Sequence, residues 1–187
     1  MSGPPEQIVF YYDLGDPECY LAAERAVAAL GGGAEWEPVL AAAGFAAPGE
    51  PDLAALAGRA QSLGCQPLRW PRGWPPDTRD AMLAATYAKQ IGRTIAFSLA
   101  AFRQAFAGGR DLGQLDTVLI AGAACEIHPA ALIKATRLRS VTDGLEAAVA
   151  RARRAGVDRL PAVAVGAEVF AGADAIEAAA RAVSEAA

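Results

Sequence analysis

"EQIVFYYDLGDPECYLAAER", residues 6–25, decides how the rest of the chain is read. Its first eight residues are β-branched or aromatic between polar ends, the composition of a mostly buried strand of roughly six residues. Asp16 then sits as an N-cap, with Pro17 at the first helical position and Glu18 in the first turn, where a negative charge meets the positive end of the helix dipole. The helix runs to about Leu30, and "GGG" at 31–33 stops it. "AEWEPVL" (34–40) offers a second strand. A strand–helix–strand unit of this length predicts a parallel pair joined by a right-handed crossover.

Working outward, the signal changes from about residue 44. "GFAAPGEPDL" is rich in breakers, and strand patterns then disappear for roughly ninety residues. Asp77 is placed to cap a helix through about Gln90, with Met82, Leu83, Thr86, Tyr87 and Ile91 on one side. "TIAFSLAAFRQAFAGG" sets Ile95, Leu99, Phe102 and Phe106 at i, i+4, i+7 and i+11, an apolar stripe ended by Gly108-Gly109. Further helices are expected from about Leu115 to Cys125 and after Pro129. At the end, Ser140 with Asp143 reads as a capping box opening a helix with Leu145 and Val149 inward and Gly156 as its stop. "LPAVAVGAEVF" follows as two short strands around a type II′ turn at Gly166-Ala167, and an alanine-rich helix, about 173–186, closes the chain. The order βαβ, helical stretch, αββα is that of an α/β, thioredoxin-like domain (1–45 plus 140–187) carrying an all-helical insertion as a lid (46–139).

Bulk composition narrows the functions. The 187 residues are 53% hydrophobic and 20% charged, enough for a core without disulfide staples. A net charge of −4 without a long Lys/Arg run argues against a nucleic-acid groove or polybasic membrane patch. "MSGPPEQIVF" has neither a basic nor an apolar leader region, and no apolar run reaches about 18 residues, so the expectation is a cytoplasmic protein with no membrane partner. Cys19, Cys65 and Cys125 are then free thiols, without metal-like spacing. His128, the lone histidine, reads as structural, and no metal site is expected.

Two features of such a fold should meet. One is the start of the first helix, which favours an anion. The other is Leu160-Pro161, which is either a cis peptide facing that helix or simply a proline opening an edge strand.

"FYYDLGDPECYLAAER", "WEPVL", "PLRWPRGWPPDT", "AFRQAFAGGRDL", "AACEIHPAAL" and "GVDRLPAVAVGAEVFAGAD" together resemble the 2-hydroxychromene-2-carboxylate isomerase family, close to kappa-class glutathione transferases in the DsbA-like branch of the thioredoxin superfamily. The resemblance implies a homodimer and a glutathione-assisted cis–trans isomerisation of a small aromatic or conjugated acid, with glutathione or another low-molecular-weight thiol as cofactor. The family turn "S-P-Y-[SA]-[YW]-L" falls on Asp16-Pro17-Glu18-Cys19-Tyr20-Leu21, so Asp16 replaces the serine that holds the thiol sulfur. Leu160-Pro161 matches the cis-proline pair whose backbone binds the cysteinyl part of glutathione. Asp174 falls where an acid receives the γ-glutamyl amine, while Ala175 replaces the family's arginine.

An ionised carboxylate beside a thiolate accepts hydrogen bonds and repels. Asp16 is accordingly a mere cap, a general base for a thiol, or a proton shuttle for an enol. Cys19 takes the second-cysteine place of a redox pair whose first cysteine is absent, leaving it an inert thiol or a single reactive one. Arg69 and Trp70, interleaved with Arg72 and Trp74, either clamp the lid or line a pocket for a flat carboxylate, with Tyr12 alongside. The alternatives to an isomerase are a non-catalytic binding protein of the same fold, and an oxidoreductase using Cys19 alone.

Overall fold

The computed structural model describes residues 7–46 and 51–186. The leader reading of "MSGPPE" and the "APGE" part of the breaker-rich stretch lie outside the described residues. β1 (Ile8–Tyr12), α1 (Pro17–Ala29) and β2 (Glu35–Pro38) form the opening unit, and β3 (Ala162–Val165), β4 (Glu168–Ala171) and α8 (Ala175–Ala186) the closing one. Between them lie α2 (Leu53–Ser62), α3 (Arg79–Gln90), α4 (Thr94–Phe102), α5 (Leu115–Ala124), α6 (Pro129–Ala135) and α7 (Arg139–Arg154). The sheet order is β2-β1-β3-β4, with β1 parallel to β2 and both other pairings antiparallel. Gly166 takes φ 57° while Ala167 does not enter the left-handed region, as a II′ hairpin requires.

Strand alternation sorts β1 onto two faces. Phe10 and Tyr12 enter the larger core with Trp36, Phe102 and the faces of α1, α3 and α4. Their rings sit 5.0–5.8 Å apart in stacked, edge-on and tilted pairs, contacts that add to simple area burial. Tyr11 turns the other way, into a smaller core with Phe45, Ala148 and Ala152 beneath α7. Among the described residues no helix is long and apolar enough to cross a membrane.

Several local expectations change. α2 has no counterpart in the sequence reading; Asp52 caps it, accepting from Ala54 N–H and Ala55 N–H. α3 begins after Thr78, not Asp77, although the Asp77 carboxylate still accepts from Arg79 N–H at 3.1 Å. The Ser140–Asp143 capping box does not form. The chain passes from α6 almost directly into α7, Leu138 takes the cap position, and Ser140 falls inside the helix. On α4 the buried set is Phe97, Ser98, Ala101 and Phe102, with Ile95 and Leu99 only half-buried. α4 packs against α1, α3 and α5, so most of its circumference is covered, and a π-helical turn at Arg103–Ala107 then carries Phe106 into the core.

Candidate functional site

The turn Asp13-Leu14-Gly15-Asp16 joins β1 to α1 and carries two buried carboxylates. Asp13 makes an Asx turn, its Oδ1 accepting from Gly15 N–H at 2.8 Å. Its Oδ2 accepts from Ala41 N–H at 2.7 Å, just after β2, and from the Thr78 hydroxyl at 3.3 Å, just before α3. One side chain thus ties three segments that are distant in sequence. Gly15 is required there, because a Cβ at that position would meet Thr78 Cγ2 at 2.6 Å. The Trp74 indole N–H reaches the Gly15 carbonyl at 3.3 Å and closes the turn from the other side.

A cavity of about 410 Å³ opens among these segments, lined by Asp13, Asp16, Ala41, Phe45, Trp74 and Thr78 among others. Asp16 caps α1 as the sequence predicts, with Oδ1 accepting from Glu18 N–H at 2.8 Å. Among the described residues no lysine, arginine or histidine lines the cavity. Burial therefore pushes the Asp16 carboxyl up to about 7; the Glu18 N–H pulls it down, and the nearby Asp13 adds to the rise. Burial raises Asp13 as well, against its three hydrogen bonds. A carboxyl with such a value holds and releases its proton near neutrality, the property needed for acid–base work.

Cys19 lies on α1 with no exposed surface. Burial, and then the charge of Asp16, lift its thiol well above the ordinary range. It is not poised to attack a disulfide. Among the described residues Cys65 and Cys125 are free as well.

The remaining sequence candidates disperse. Tyr12, expected at the substrate pocket, is instead a core residue: it is fully buried, and its hydroxyl pairs with Ser98 at 2.6 Å. Arg69 is exposed and is tied by its backbone to the π-helical turn after α4, its N–H donating to the Phe106 carbonyl at 2.7 Å. Trp70 packs on Trp74 and Phe106, with centroids 5.3 and 6.2 Å away. Neither residue lines the cavity; from that loop Trp74, Pro75 and Pro76 do. The Leu160-Pro161 bond is cis, as is Trp74-Pro75. The β1–β3 register sets Ala162 opposite Tyr11, which brings Leu160-Pro161 beside Tyr12 and Asp13 at the approach to α1. Among the described residues no backbone group pairs with the Leu160 N–H or C=O. Asp174 is exposed and already paired: Arg59 of α2 reaches it at 3.1 Å, reaches Glu18 at 3.3 Å, and also donates to the Ala173 carbonyl. His128 caps α6, its Nδ1 accepting from Ala130 N–H at 3.2 Å.

Asp13, Phe45 and Thr78 were not picked out from sequence. Asp-x-Gly was the one local signal, pointing to an Asx turn at Asp13; nothing local announces the other two.

The chain matches no protein-family model and no curated protein sequence. Among solved structures it is similar to a 2-hydroxychromene-2-carboxylate isomerase, with TM-score 0.83 and 18% identity over 95% of this chain and 94% of that one. It is similar also to a probable DsbA oxidoreductase from Streptomyces coelicolor, with TM-score 0.78 and 19% identity over 97% and 89%. A third is the oxidoreductase DsbA from Xylella fastidiosa, with TM-score 0.62 and 15% identity over 98% and 86%. The fold is that of the DsbA-like thioredoxin proteins.

Proposed function

We propose that the chain is an isomerase acting on a small, flat, conjugated acid, with Asp16 as its proton-transferring group. The observation that carries this reading is Asp16 itself, a buried carboxyl with no cation beside it on the wall of a largely apolar cavity. Likeness of fold to an isomerase supports the choice of reaction class by analogy, and the residues supply the chemistry. In its ionised form Asp16 takes the O–H proton of a phenolic enol that is conjugated through the double bond to a ketone. The neutral acid then returns that proton to the ketone oxygen, and the electron shift along the conjugated chain leaves a single bond where the double bond stood. Rotation about that bond and the reverse transfers give the other geometry, with the proton and electron count unchanged. Because Oδ1 is held by Glu18 N–H, Oδ2 is the oxygen that exchanges the proton.

A glutathione thiolate fits these residues poorly. Asp16 stands where the sulfur would be stabilised and would repel it, and Asp174 is engaged by Arg59. No step is therefore routed through a thiol. An oxidoreductase role finds its single cysteine fully buried.

The test is turnover of 2-hydroxychromene-2-carboxylate, followed by absorbance with and without glutathione. Native protein is expected to turn over without thiol, with a rate inflecting near pH 7, and Asp16→Asn to lose roughly 100-fold or more. Turnover only with glutathione would restore the thiol mechanism. No turnover under either condition would remove this substrate.

A further inference from the structure

The cavity beside α1 combines two acids, two aromatic rings and, among the described residues, no base. At about 410 Å³ it suits one small ring system, with Phe45 lining it from the segment after β2 and Trp74 from the loop before α3. Asp13 commits both oxygens to Gly15, Ala41 and Thr78. Asp16, only 7% exposed, gives Oδ1 to the Glu18 N–H. Its Oδ2 has no hydrogen-bond donor among the described residues, yet the polar atoms sealed there without a partner are Arg25 Nη2 and Glu177 Oε2. Oδ2 is therefore reached through the cavity that Asp16 lines. The ionisable groups acting on it are Asp13 before it, with Glu18 and the Cys19 thiol after it on α1. Glu18 is held by Arg59. From the facing segments, 41–45 bring no charged residue, and 74–78 bring only Asp77, which is exposed and accepts from Arg79 N–H. An ionised Asp16 thus lacks a counter-charge, a deficit that a ligand can fill.

We infer that the cavity binds flat organic cations, with the ring against Phe45 and Trp74 and the positive charge toward Asp16 Oδ2. Aromatic faces carry negative charge density, so the walls and the carboxylate attract the same ligand. A conjugated acid, by the same charges, is held with its own carboxylate away from Asp13 and Asp16. Cation binding is linked to loss of the Asp16 proton, because the ionised form is the one that pairs. Affinity for a permanent cation therefore rises as pH passes through the titration of this carboxyl at about 7. This ligand class lies beyond the isomerase reading and needs only the cavity.

The test is calorimetric binding of two flat probes whose charge is fixed between pH 5.5 and 8.5, the cation N-methylquinolinium and the uncharged N-methyl-2-quinolone. The native protein should bind the cation roughly tenfold more tightly at pH 8.5 than at pH 5.5, the size of one partly solvated charge pair, and the quinolone equally at both. Asp16→Asn keeps the cap of α1. It should abolish the pH dependence for the cation and leave the quinolone unchanged, which shows the cavity intact. Equal affinity for cation and quinolone at pH 8.5, or a pH-dependent preference that survives in Asp16→Asn, would overturn the inference. So would failure of both probes to bind. Selective, Asp16-dependent binding of the cation supports it whether or not 2-hydroxychromene-2-carboxylate is turned over, so the two readings fail separately.

Discussion

Two buried acidic positions at the ends of neighbouring parallel strands make opposite uses of burial. Glu37, on β2, is 4% exposed and receives Lys89 at 2.8 Å and Arg151 at 2.9 Å. Asp13 and Asp16, just beyond β1, are buried to a similar degree, yet among the described residues they receive only backbone N–H groups and a threonine hydroxyl. The first arrangement fixes a charge in place and joins β2 to α3 and α7. The second leaves a proton free to come and go. What separates the ion-paired acid from the one proposed to transfer a proton is which donors the fold brings to it, since both are shielded from water to a similar degree.

The contrast can be broken at several points, beginning where the largest effect is expected. Asp13→Ala removes the acceptor for Gly15, Ala41 and Thr78 together and leaves two part-buried N–H groups without that partner. It should cost about 3 kcal/mol, or roughly 6–12 °C in melting temperature. A loss under about 1 kcal/mol would mean that the three segments hold together without it.

The next comparison sets Asp16→Asn against Glu37→Gln. The Asp16 carboxyl moves from its ordinary 3.8 to about 7 on folding, so between those values the folded protein binds more protons than the unfolded chain. The stability from the neutral acid is complete below about 3.8 and is lost as pH rises through 7, an effect on the order of 4 kcal/mol by pH 8, most of it above pH 5. Asparagine keeps the cap and removes the titration. Urea unfolding at pH 5 and pH 8 should therefore show the native protein weakening at the higher pH and Asp16→Asn nearly level, apart from the part that Asp13 contributes. Glu37→Gln should instead lose about 1–2 kcal/mol at neutral pH, because two partly solvated cations are left facing each other. If Glu37→Gln gained stability at pH 8 as Asp16→Asn does, the two acids would not differ in the way described.

The smallest effect is expected at Asp174. Its side chain is solvated and Arg59 keeps Glu18 and the Ala173 carbonyl, so Asp174→Ala should change stability by no more than about 0.5 kcal/mol in a thermal melt. A larger loss would make the Arg59 cluster a fastening of α2 rather than a surface pairing.

Much of the fold could be read locally. β1, the Asp16 cap, the glycine stop after α1, the β3–β4 hairpin and α5 follow from residue type and period, which act over a few neighbours. Errors fell where a side chain had two possible employers. Thr78 gives its hydroxyl to Asp13 instead of capping α3, and Ser140 has the capping-box spacing inside a helix that had already begun. α2 escaped notice because an alanine-rich segment of ten residues beside breakers has little apolar periodicity of its own. At the site, Asp16 and the Leu160-Pro161 pair were legible by position, whereas Tyr12 was not, because alternation along β1 gives two tyrosines and does not label which face is core.

The sequence by itself determined that an aspartate, and no nucleophile, opens the first helix, and that Cys19 has no cysteine partner three residues before it. These are statements of composition at adjacent positions. Only the tertiary structure decided that this aspartate titrates near neutrality, that Cys19 is sealed from solvent, and that the cavity wall runs from residue 13 to Ala41, Trp74 and Thr78. Burial and charge at a point are sums over everything packed around it, and those neighbours come from segments up to 65 residues apart.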